Sequence, residues 1–119
     1  MTITASTTGG NWSSTAAWVG GVVPTATDDV QLASGSGPIT IDGTSGSPSL
    51  CRSIVCASGY GSALTHTAGK WLQVGDPAGS AAGTVTFSTG TNYSPSPTAV
   101  LSLVGGTNGG VATYITTNG

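Results

Sequence analysis

The chain has 119 residues, of which 20 are Gly, 16 Ser and 20 Thr, and only 5% are charged. Asp28, Asp29, Asp42 and Asp76 are balanced by Arg52 and Lys70, there is no Glu, and the formal net charge is -2. Nothing here neutralises several phosphates at once or forms a polybasic patch, which excludes nucleic-acid and charged-membrane binders. Strong helix formers are too scarce for a helix bundle.

The hydrophobic share of 37% is low for a globular chain, and each Gly adds backbone entropy to the cost of folding. Short alternating runs of Val, Ile, Leu and aromatic residues nonetheless separate the sequence from a flexible Gly/Ser linker. The expectation is a folded all-β domain of low intrinsic stability. Assembly with copies of itself or with a host surface then supplies part of the missing burial.

In chain order, residues 1–8 read as an N-terminal arm or added strand and residues 9–119 as a single all-β domain. Thr2-Ile3-Thr4 has strand propensity but no local partner, so it is expected to pair with a neighbour. The opening MTITASTTGG lacks the basic and apolar regions of a signal peptide, and no run reaches membrane-helix length. Synthesis in a cytoplasm and reduced thiols at Cys51 and Cys56 follow as expectations.

Trp12 and Trp18 stand between Thr8-Gly9-Gly10-Asn11 and Gly20-Gly21, and Pro24 makes its predecessor extended. From Asp28-Asp29 the pattern becomes periodic: Val30 and Leu32 share one face, and Ile39 and Ile41 another. Further strands are predicted near 50–57, 63–67, 70–74, 84–88, 98–104 and 111–116. One continuous strand over 50–56 would point Cys51 and Cys56 to opposite faces. The segment 63–75 reads as two strands joined at a solenoid corner. Pro95 and Pro97 beside Tyr93 predict a projecting loop or edge segment. Ala99 to Val104 is the most apolar stretch, either a central strand or one whose second face meets another subunit. Short strands and Gly-rich loops suit a short β-solenoid, with a jelly-roll-like β-sandwich as the alternative.

Gly10-Asn11-Trp12, Trp18, Gly20-Gly21, Pro24-Thr25, Asp28-Asp29-Val30 and Thr40-Ile41-Asp42 resemble the opening of bacterial and phage β-helix proteins. The resemblance covers about a third of the chain and implies a β structure built in rungs. The residues also have physical roles of their own. Trp12 and Trp18 can cover the open end of the β core, and Gly20 and Gly21 permit a tight return. Pro24 belongs to the same closing segment, and Asp28 or Asp29 can accept backbone N–H groups at the loop-to-strand junction. An exposed tryptophan stacking on a sugar is the competing reading.

Little in the sequence points to catalysis, cofactors or metals. His66 shares the face of Leu64 in an unbroken strand and reads as a hydrogen-bonded core residue. Adjacent Asp28 and Asp29 point apart, Asp76-Pro77 reads as a turn, and no EF-hand spacing supports calcium. A zinc site from two thiols and a distant His66 is unconvincing. Thr-x-Thr pairs invite an ice-binding ladder, but their spacing is not constant. In size, composition and lack of a signal peptide the chain resembles the decoration (cement) proteins of phage heads. That resemblance implies a virion surface location, the major capsid protein as partner and a homotrimer, with no membrane, nucleic acid or small-molecule substrate. Thr2, Ile3, Thr4, Tyr93, Pro95 and Pro97 are the expected partner contacts. A fibre, collar or surface-filament domain is the second expectation, and a carbohydrate-binding module the third.

Overall fold

The computed structural model describes residues 1–79, 82–88, 92–93, 95–104 and 113–116. Wherever apolar residues alternate with polar ones, the chain is extended. The strands are β1 (Thr2–Thr4), β2 (Gly10–Asn11), β3 (Asp29–Leu32), β4 (Ile39–Ile41), β5 (Ser49–Cys51) and β6 (Ser53–Cys56). They continue as β7 (Ala63–His66), β8 (Trp71–Val74), β9 (Thr84–Phe87), β10 (Asn92–Tyr93), β11 (Val100–Leu103) and β12 (Thr113–Thr116). The strands stack in parallel into three sheets, ordered β1-β3-β6-β9-β12, β10-β7-β4-β2 and β11-β8-β5. The chain visits the three faces in turn and advances one strand per circuit, forming a short parallel β-solenoid of about four turns. A jelly-roll sandwich requires antiparallel sheets. Here every pairing between the named strands is parallel, so the sandwich is set aside.

Register makes the core. On the first face Ile3, Val30, Ile54 and Val85 stack in one inward column, and Leu32, Cys56 and Phe87 in a second. All seven are at most 4% exposed. Ile39 over Leu64 and Ile41 over His66 do the same on the second face, and Cys51 over Val74 on the third. Each fully buried apolar side chain contributes about 1.5–3 kcal/mol, which is how few large residues order a Gly-rich chain.

Three expectations change. The strand anticipated over 50–57 breaks at Arg52, where the chain turns from the third face to the first. That corner brings Cys51 and Cys56 both inward, as buried thiols not joined in a disulfide, rather than to opposite faces. Thr2-Ile3-Thr4 finds its partner within its own chain. It pairs in parallel with β3, while Ser6 and Val19 donate to the carbonyls of Ala17 and Thr4 along the other edge. Ile3 is 3% exposed because it starts a core column, so residues 1–8 are not a free arm. Finally, among the described residues β11 is an end strand of its sheet rather than a central one, and Val100 to Leu103 are half-buried.

At the corners between circuits, backbone packs directly on backbone. A Cβ on Gly37 would lie 2.5 Å from the Thr7 carbonyl oxygen, and one on Gly9, at φ +69°, only 2.1 Å from that of Pro38. Gly37→Ala is therefore expected to lower the unfolding free energy by about 2–3 kcal/mol. Gly46→Ala, where a Cβ meets nothing within 4 Å, should change it by less than about 0.5 kcal/mol. Urea unfolding midpoints at constant m-value check both.

Candidate functional site

The segment after β2 crosses back over the first circuit. Trp12 N–H donates to the Thr40 carbonyl, a single 3-10 turn spans Thr15–Ala17, and Trp18 bridges Ala5 in antiparallel fashion. The Trp12 and Trp18 rings meet edge to face, with centroids 4.9 Å apart. They are 1% and 2% exposed, and the Trp18 indole N–H donates to the Trp12 carbonyl at 2.9 Å. Neither ring offers a face to a sugar, so the stacking platform weighed from the sequence is absent. Gly20 and Gly21, at φ +91° and +70°, form the return; a Cβ would meet nothing there, so their requirement is conformational. Pro24 is buried as the loop approaches β3.

The aspartates hold turns and neighbouring circuits. Asp28 accepts from the Thr25 N–H and hydroxyl at 2.9 and 3.0 Å. Asp29 takes no backbone donor of the loop; it is bidentate to Arg52 at 2.9 and 2.5 Å and accepts from Ser53 at 2.6 Å. The Arg52 guanidinium holds the Asp29 carboxyl below the usual carboxylate range. Asp76 caps its own turn by accepting from the Ala78 N–H at 3.0 Å. Asp42 accepts from the N–H of Ser13 and from its hydroxyl, tying β4's end to the N-terminal segment. Among the described residues, no three His, Cys, Asp or Glu side chains gather as a metal site.

His66 points into the core, 1% exposed. Its Nε2 lies 2.8 Å from the Lys70 carbonyl, which can only accept, so Nε2 carries the proton. Nδ1 then accepts from the Tyr93 hydroxyl at 2.8 Å. Tyr93 also packs on Phe87, at a centroid distance of 4.7 Å. Its hydroxyl thus serves the solenoid interior rather than a partner. Pro95 and Pro97 are exposed, but Ser96 between them donates to the His66 carbonyl at 3.0 Å, so the segment follows the stack instead of projecting. Burial pushes the thiols of Cys56, to about 12, and of Cys51 upward, as expected of inert core residues. Among the described residues the Thr-x-Thr pairs form no ladder: β1 and β9 share a face, but Asp29, Gln31, Ser53 and Val55 separate them, and Thr89 and Thr91 lie outside the described residues.

One concavity stands out, a groove of about 390 Å³ on the third face. The N-terminal segment contributes Trp12, Ser13, Val23 and Pro24, and the loop and strand from Asp42 to Leu50 supply the other wall. The buried Trp12 indole N–H has no hydrogen-bond partner. Sequence reasoning missed this groove because its walls are about thirty residues apart and no local motif links them. The alternation that ends at Ile41 was the available signal, since it leaves Asp42 facing outward.

Comparisons with protein-family models, with curated proteins and with solved structures find no match to this chain.

Burial holds the His66 imidazole below its ordinary value of about 6.5, against the opposing pull of the Lys70 carbonyl. The unfolded chain takes up that proton first as pH falls, so the stability due to neutral His66 is complete above about pH 7 and declines below about pH 6.5. The limiting slope is about 1.4 kcal/mol per pH unit. His66→Phe should flatten this window, and Tyr93→Phe, which leaves Nδ1 unpaired, should cost about 1 kcal/mol at pH 7. Unfolding titrations from pH 7.5 to 5 measure both. The stability due to ionised Asp29 is complete above about pH 4 and is lost only below it, which leaves the window clear.

Proposed function

We propose that this chain is a non-catalytic structural module, a decoration protein that lies on the outer surface of a phage capsid lattice as a homotrimer. One observation carries the reading: all four aspartates brace turns or adjacent circuits, and the lone histidine braces the core. What remains outside is a rigid, ion-poor surface of Thr, Ser, Gln and small apolar residues, with Val19, Val22 and Val55 exposed. Such a surface docks by shape and hydrogen bonds and depends little on ion pairs. The carbohydrate-module reading loses its main support with both candidate tryptophans buried.

A second reading has an observation of its own. Among the described residues the third sheet ends at β11, whose Val100, Leu101 and Leu103 are half-buried. Sheet ends of this kind suit a fibre or filament built by repeated heterologous contacts.

A cryo-EM map of the native particle tests the choice. The capsid reading expects three-fold-related solenoids over the major capsid protein. It also expects occupancy that changes less than about twofold between about 0.1 and 1 M salt. Density confined to tail or fibre, or release at high salt, would contradict it.

A further inference from the structure

The first circuit supplies strands to only two faces of the solenoid. β1 lies beyond β3 and β2 beyond β4, whereas on the third face β5 is the end of its sheet. In a parallel ladder the peptide groups of successive residues alternate between the two edges. The Gly75 N–H donates to the Cys51 carbonyl at 2.8 Å, and Cys51 is in register with Val74. The peptide groups of Cys51 therefore face β8, and the N–H and carbonyl of Leu50 face the opposite edge. Among the described residues no strand pairs with that edge. Leu50 lines the groove, so the groove occupies the place where the first circuit leaves out its third strand.

One group on a lining residue lacks a partner. The buried indole N–H of Trp12 has no acceptor. Asp42 is the groove's one charged lining residue and, among the described residues, takes part in no ion pair. Its carboxylate is held in place by Ser13 from across the groove. Val23, Pro24 and Pro48 give the remaining walls apolar surface, and Thr44, Ser47 and Ser49 add hydroxyls.

We propose that this groove binds an extended peptide segment of a partner protein. The segment adds as a strand along the free edge of β5 and sets a Lys or Arg side chain against Asp42. Main-chain hydrogen bonds to Leu50 supply the affinity, and the carboxylate selects the cation. The inference depends on the β5 edge and not on what the module decorates, so it stands or falls separately from the capsid reading.

The full chain, labelled with nitrogen-15, is titrated with the blocked peptide Thr-Val-Lys-Val-Thr, with the same peptide carrying Glu in place of Lys, and with maltotriose. The Lys peptide is expected to shift the Leu50 amide and the Trp12 indole resonances saturably and to slow exchange at Leu50. The Glu peptide should bind about tenfold more weakly. Asp42→Asn should weaken the Lys peptide about fivefold. Leu50→Pro, which removes a donor from the free edge without taking a ladder bond, should abolish the shifts. If that variant does not fold, Asp42→Asn still decides the matter. Unmoved resonances with the Lys peptide, undiminished binding by Asp42→Asn, or shifts produced by maltotriose alone would overturn the proposal.

Discussion

A stack of parallel strands has ends, and at each end both a row of peptide groups and the apolar columns lose their next neighbour. In this protein the N-terminal end is closed by a segment of the same chain. Residues 17–19 take up the outer edge of β1, and the paired rings of Trp12 and Trp18 pack onto the core beneath. Because the rings lock edge to face and Trp18 bonds back to the Trp12 carbonyl, the closing segment is itself ordered. The columns from Ile3 to Val85 and from Leu32 to Phe87 are stacked behind that closure.

The unusual composition follows from the same geometry. A circuit this short turns three corners, and successive corners rest on one another with no room for a Cβ, as at Gly9 and Gly37. Outward positions need only suit a pleated surface, and Thr, Ser and Gln do so without charge. The few ionic groups hold turns or join circuits: Asp76 caps its own turn, and Asp29 reaches across to Arg52 and Ser53 of the next circuit. Such a body offers a partner rigidity and shape but little electrostatic attraction.

Much of this was legible in the sequence. Alternation at Val30 and Leu32, at Ile39 and Ile41, and through 63–75 marked strands and a corner correctly, and the solenoid class followed. Two features misled. At Cys51-Arg52-Ser53 the inward phase shifts by one residue, from Cys51 to Ile54, because a solenoid turns within one residue where no glycine or proline announces it. At Thr2-Ile3-Thr4 the partner lies more than twenty residues away in β3, so a local reading finds none. The groove was illegible for the same reason, since Ser13 and Asp42 meet only through the stacking of circuits. The spacing of Trp12 and Trp18 gave no indication that one indole N–H would be satisfied and the other left without an acceptor.

Solenoid stability is nearly a sum of circuit and interface contributions, so damage at one end need not spread evenly. Native-state hydrogen exchange on Trp12→Ala therefore addresses the closure most directly. The account predicts a loss of about 3–5 kcal/mol, with protection falling most at Ile3, Val30 and Ile39 and least at Leu72 and Val85. Protection in β1, β3 and β4 equal to that of the unaltered chain would contradict it.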